Sequence, residues 1–129
     1  MIVGLGVDMV EIQRIEKILA KNLNLAARIL APAELLDFAQ QKPERQAVFL
    51  AKRFAAKEAC AKAFGTGFQH GLHFAHIAIS HDVRGKPLLQ FFATAQQLCQ
   101  QQQITQAHLS LSDERHYVVA TVLLQSSSF

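Results

Sequence analysis

The sequence predicts an α+β fold, a small antiparallel sheet packed with one long and several shorter helices. Helical patterns and short apolar strands mix without the regular β–α–β alternation of a parallel sheet. One helical pattern, residues 44–64, is far longer than the rest and rich in alanine, a strong helix former. Near the end, residues 108–112 and 116–124 read as two strands around a tight turn at Asp113-Glu114-Arg115.

Residues 1–7 read as a buried strand, loosened by Gly4 and Gly6 and closed by Asp8. A helix follows over residues 10–20, with Ile12, Ile15, Ile18 and Leu19 on one face and Arg14, Lys17 and Lys21 together on another. Pro32 suits the first turn of a short helix through Phe38, and Pro43 opens the long one. Gly65-Thr66-Gly67 stops it. Residues 72–80 alternate weakly as a strand, Arg84-Gly85-Lys86-Pro87 is a turn signal, and residues 91–103 read as a helix with a solvated glutamine-rich end.

The chain has 129 residues, half of them hydrophobic, which fits one domain over 1–129 with no linker. So short a chain has little material to enclose a large ligand alone, and a second subunit would supply a wall. The net charge of +3 and pI near 9.1 admit an anionic partner or simply a solvated basic surface. Cys60 and Cys99 fall in helical patterns and read as free thiols of a cytoplasmic protein. The start carries no signal-peptide pattern, and the late apolar run, residues 118–124, is too short to span a membrane. A nucleic-acid module would interleave aromatic and basic residues on a sheet face, whereas the late strands offer only Tyr117 and there is no tryptophan.

In the long helix, Leu50, Phe54 and Ala61 define an apolar face, with Glu58 and Lys62 on or beside it. A carboxylate there needs a partner or a metal, and an i, i+4 pair with Lys62 is one answer. Lys52, Arg53 and Lys57 add cationic density that would suit phosphates. The Gly-Thr-Gly is not a P-loop, because the dipole at a helix C-terminus disfavours anions. Asp8 reads either as a capping residue or as a metal ligand at a strand end. His70, His73, His76 and His81 do not form a zinc pattern, since strand alternation sends His76 and His81 to opposite faces.

Three segments together resemble the holo-acyl-carrier-protein synthases, the small bacterial 4'-phosphopantetheinyl transferases. The first is Ile2-Val3-Gly4-Leu5-Gly6-Val7-Asp8-Met9-Val10-Glu11 with Arg14-Ile15. The second and most specific is Arg53-Phe54-Ala55-Ala56-Lys57-Glu58-Ala59, running on through Lys62-Ala63-Phe64-Gly65-Thr66-Gly67. The third is Gly85-Lys86-Pro87, with Leu109-Ser110-Leu111-Ser112 leading to Tyr117 and Ala120.

The resemblance implies the fold of that family and a reaction. A serine of apo acyl carrier protein attacks the β-phosphate of coenzyme A, and phosphopantetheine moves while adenosine 3',5'-bisphosphate leaves, in support of fatty acid biosynthesis. It implies magnesium on Asp8 and Glu58, with Glu58 or a metal-held water as base and Lys62 as a charge for the leaving phosphate. It implies coenzyme A contacts from Arg45, Arg53, Lys62, Gly65, Gly85 and Pro87, and carrier docking on Arg14, Lys21 and Arg28. It further implies a homotrimer with sites between subunits; the apolar stretch 109–124 is the expected contact. One position departs: many members carry a histidine where Asp113 stands, and an ionised aspartate donates no hydrogen bond to phosphate. Arg115 or His116 is the candidate substitute.

Overall fold

Ten residues of unbroken strand begin the chain: β1, Ile2–Glu11, runs straight through Asp8. The structure, a computed structural model, describes residues 1–22 and 24–127. After β1 come α1 (Ile12–Lys21), α2 (Leu25–Ile29), α3 (Pro32–Ala39) and the long α4 (Pro43–Phe64). A single 3-10 turn, Phe74–His76, leads into β2 (Ile77–His81), then β3 (Pro87–Phe91), α5 (Ala93–Gln101), β4 (Gln106–Asp113) and β5 (Tyr117–Gln125). The strands form an antiparallel three-stranded sheet in the order β1-β5-β4 and a separate β2-β3 pair.

The 22-residue α4 is the spine, roughly 33 Å long. It is buried almost all round, as a helix at the centre of a core must be. Ala51, Ala55, Ala59 and Ala63 recur every four residues and make one smooth, buried ridge. Strand β1 lies against that ridge. A Cβ added to Gly6 would stand 1.9 Å from the Ala59 carbonyl oxygen, and one added to Gly4 1.9 Å from that of Ala63. The two glycines therefore let strand and helix backbones touch. The helix ends at Gly65, whose φ of 83° is a left-handed cap that a side chain would strain.

Several sequence expectations are corrected here. Asp8 does not close a strand; it pairs with Ala120 in mid-ladder, and the first helix starts at Ile12, two residues later than expected. Residues 72–76 are not strand, and His76 sits in the 3-10 turn rather than alternating with His81. Phe91 ends β3 instead of opening a helix, and α5 stops at Gln101. Neither α2 nor β3 was anticipated. Strand β4 continues through Asp113, so the turn lies at residues 114–116.

The apolar stretch 109–124 divides by alternation. Leu109, Val118, Ala120, Val122 and Leu124 face inward and are buried in the core, so of this stretch only the outward-facing residues are open to a partner. The outer face of the sheet is apolar for a different reason. Leu5, Val7 and Met9 of β1 are 61, 49 and 64% exposed, beside Leu123, Thr121 and Val119 of β5.

Candidate active site

The alternation that turns Gly4 and Gly6 toward α4 turns Asp8 the same way. The Lys62 ammonium donates to Asp8 Oδ1 at 3.0 Å and to the Val7 carbonyl at 3.0 Å. Lys62 is thus paired with Asp8 across the strand–helix contact, and not with Glu58 along the helix. Glu58, one turn before Lys62, faces the same spot. Burial first, and Asp8 second, push its carboxyl above the ordinary range, against the pull of Lys62. The fold therefore brings Asp8, Glu58 and Lys62 together, with Gly65 less than a turn beyond.

Arg53 and Lys57, expected as cations for phosphate, turn inward. Lys57 is fully buried and donates to Glu34 Oε1 at 2.6 Å, the Ile29 carbonyl at 2.6 Å and the Phe74 carbonyl at 3.2 Å. It offers nothing to a ligand, which corrects that expectation. Glu34 is 2% exposed; its carboxylate also accepts from the Ala31 and Ile79 N–H groups at 2.9 and 3.0 Å and from Arg53 at 3.5 Å. Arg53 donates in addition to the Ile79 carbonyl and lies 4.6 Å over the Phe49 ring. This network clamps α2, α3, α4, the 3-10 turn and β2 together. Among the described residues no buried side-chain nitrogen or oxygen lacks a hydrogen-bond partner, as a buried ion cluster requires. Glu34 escaped the sequence reading because an acid in the first turn of a helix looks like an ordinary capping residue.

The outer side of Arg53 forms part of a cleft of about 350 Å³ with Arg45, Phe49, Lys52, His81, Asp37 and Leu111. Lys52 at its rim is paired with Asp113 at 3.0 Å. His81, in the cleft wall, is held below the usual imidazole range by burial first and then by Arg53 and Lys52. Pro87 pairs with His81 across the small sheet, and Gly85, at φ 86°, sits in the turn that Asp82 closes by accepting from the Arg84 and Lys86 N–H groups.

The expected residues thus fall into two groups. Asp8, Glu58, Lys62 and Gly65 gather at the C-terminal half of α4; Arg45 and Arg53 line the cleft at its N-terminal half, and Pro87 reaches it only as the strand partner of the cleft residue His81, with Gly85 in the turn before. At 3.6 residues per turn the two groups face roughly 140° apart round α4, and Arg45 lies about 20 Å from Glu58 along its axis. The expected docking residues are exposed: Arg14 and Lys21 on α1, Arg28 on α2. Arg14 and Lys17 line a shallow groove with Met9, Glu11 and Tyr117, so this basic face adjoins the strand that carries Asp8.

A family model described as the 4'-phosphopantetheinyl transferase superfamily matches residues 4–122. The chain belongs to this family. A relative from Vibrio cholerae named holo-[acyl-carrier-protein] synthase is 55% identical over 126 residues, which is 97% of this chain and 98% of the relative. Among solved structures, the holo-[acyl-carrier-protein] synthase of Neisseria meningitidis superposes with a TM-score of 0.91 at 42% identity, covering 98% of this chain and 100% of the other. That of Bacillus anthracis, solved in complex with CoA (3',5'-ADP), gives 0.83 at 41% identity, over 98% and 99%. Two of the three sequence segments meet at this site: the first supplies the glycine contact and Asp8, the second Glu58 and Lys62 together with the buried cations. No helix among the described residues is long and apolar enough to cross a membrane.

Proposed function

We propose that this chain is a holo-acyl-carrier-protein synthase, a cytoplasmic enzyme of fatty acid biosynthesis built as one transferase domain over residues 1–129. It moves 4'-phosphopantetheine from coenzyme A to a serine of apo acyl carrier protein and releases adenosine 3',5'-bisphosphate. The observation that carries this reading is the meeting of Asp8 with Glu58 and Lys62, on a chain so closely related to named synthases.

Magnesium suits the site. Asp8 and Glu58 are two mutually repelling acids with one lysine beside them, an arrangement that a divalent cation relieves. Among the described residues no group of three or more His, Cys, Asp or Glu is gathered, and magnesium needs only one or two carboxylates when substrate phosphates complete its shell. Held there, it would neutralise the pyrophosphate and favour in-line attack. Lys62, half exposed on its pivot at Asp8, is placed to swing its ammonium toward the leaving phosphate. Glu58 serves twice in this reading, facing the metal and accepting the serine proton.

In the cleft, Arg45 holds the remaining phosphate of coenzyme A, while Arg53, its guanidinium committed to Glu34 and the Ile79 carbonyl, adds its outer side to the wall, and Gly65, Gly85 and Pro87 shape the rest around the cofactor. Because the cleft and the carboxylates face different ways round α4, one cofactor is better served by the cleft of one subunit and the carboxylates of another. The exposed Leu5, Val7 and Met9, beside the partly exposed Val119 and Leu123, form an apolar face that supports a homotrimer assembled around it. The basic face of Arg14, Lys21 and Arg28 steers an acidic carrier protein toward Asp8. Intact mass of apo acyl carrier protein, after incubation with this chain, coenzyme A and magnesium, tests the reading. A gain of one phosphopantetheine is expected; an unchanged carrier under conditions where a known synthase modifies it would refute it.

A further inference from the structure

Charge is scarcer in the α4 cleft than its lining suggests. Arg53 spends its guanidinium on Glu34 and the Ile79 carbonyl. Lys52 is paired with Asp113, both partly open to solvent at 34 and 41% exposure. Asp37 brings a further negative charge to the lining. Arg45 is the cleft cation that enters no ion pair among the described residues.

Coenzyme A carries a pyrophosphate, which is the reacting group, and one 3'-phosphomonoester. On the function proposed above, the pyrophosphate belongs with Asp8 and Glu58, and the monoester is left for the cleft. A phosphomonoester is close to dianionic at neutral pH and takes three strong hydrogen bonds. Lys52 has donors to give, and an exposed ion pair is weak enough for a phosphate to draw the ammonium away. Asp113 then faces a dianion with its own charge uncompensated.

We infer that Asp113 sets how firmly this enzyme holds the 3'-phosphate of its cofactor, by competing for the Lys52 ammonium at the cleft rim. It is a positioning and selectivity residue, acting through Lys52 and not through the reacting atoms. It weakens the hold on every 3'-phosphorylated ligand, the cofactor and the nucleotide product alike, and so favours release of the product after transfer. Ligands without that phosphate do not feel it.

The test compares wild type, Asp113→Asn, Lys52→Ala and the double variant, with coenzyme A and 3'-dephospho-coenzyme A as alternative donors and carrier mass as readout. Asp113→Asn keeps the shape and removes the charge. It should lower KM for coenzyme A about five-fold, with KM for the dephospho donor unchanged. In the Lys52→Ala background the same substitution should change either KM by less than about two-fold. A direct binding arm uses calorimetry with adenosine 3',5'-bisphosphate against adenosine 5'-monophosphate, and only the bisphosphate should bind Asp113→Asn more tightly. Equal effects on both donors, or an effect that survives Lys52→Ala, would overturn the inference and leave Asp113 a support of the β4–β5 turn. Weaker bisphosphate binding in Asp113→Asn would overturn it too, since Asp113 would then be presenting Lys52 to the phosphate. A wild-type chain that modifies no carrier with either donor is a separate outcome: it refutes the proposed function itself.

Discussion

Glu34 ties together more of this molecule than any residue the reaction uses. Its two oxygens receive Lys57, Arg53 and the N–H groups of Ala31 and Ile79, all out of water. Glu34→Ala leaves the Lys57 ammonium buried without its counter-charge, so a loss of about 3–5 kcal/mol is expected. Urea denaturation followed by circular dichroism measures it; a loss below 1 kcal/mol would mean that the cluster contributes little. None of this was legible beforehand. Lys57 and Glu58 are neighbours in the most recognisable motif, yet one is locked in the core and the other faces Asp8 and Lys62. Helical spacing shows that they diverge, but not which direction is solvent, because α4 is covered on nearly every side. His81 offers a second residue-scale check. Burial, Arg53 and Lys52 lower its pKa, so its NMR titration midpoint should fall below the ordinary 6.5 of an imidazole. A phosphate in the cleft adds negative charge, favours the imidazolium and should raise that midpoint. A midpoint that falls or stays fixed when adenosine 3',5'-bisphosphate binds would place the phosphate elsewhere.

At the scale of elements, the β1–α4 contact decides where the chemistry sits. Gly6→Ala puts a methyl group against the Ala59 carbonyl, a backbone atom that cannot swing aside. The strand must then lift from the helix, at a cost of about 1–3 kcal/mol, and Asp8 lifts with it. Thermal unfolding reports the first effect and loss of transfer the second. A Gly6→Ala protein as stable and as active as wild type would show the contact to be looser than described. The alternation Gly4, Gly6, Asp8, Val10 is visible in the sequence as one strand face, but an acid after an apolar run reads as a strand end. Only the partner strand, with Ala120 opposite Asp8, shows that the ladder continues. The α4 boundaries were legible because Pro43 and Gly65 mark them chemically. Strand β3 was not, since five residues beginning at Pro87 look like the tail of a turn until β2 pairs with them.

For the molecule as a whole, the α+β class and the family were readable from local patterns, whereas the shape of the assembly depends on which strand faces outward. The inward half of residues 109–124 is buried against α4, which leaves the outward half, beside the exposed Leu5, Val7 and Met9 of β1, to meet a partner. Sedimentation equilibrium at micromolar concentration should give a trimer, and Leu5→Glu with Met9→Glu should dissociate it; a fully active wild-type monomer would contradict the assembly. The central claim is narrower: Asp8 and Glu58, joined by the β1–α4 contact, bind the metal that makes transfer possible. The most direct measurement is a magnesium titration of Asp8→Ala and Glu58→Ala side by side, read as carrier mass shift, with near-ultraviolet circular dichroism confirming the fold. Each variant should lose transfer by at least about 100-fold at magnesium levels that saturate wild type. Excess metal should restore Asp8→Ala in part and Glu58→Ala less, because in the proposed mechanism Glu58 is also the base for the serine proton. Full activity of either variant at ordinary magnesium would contradict the account.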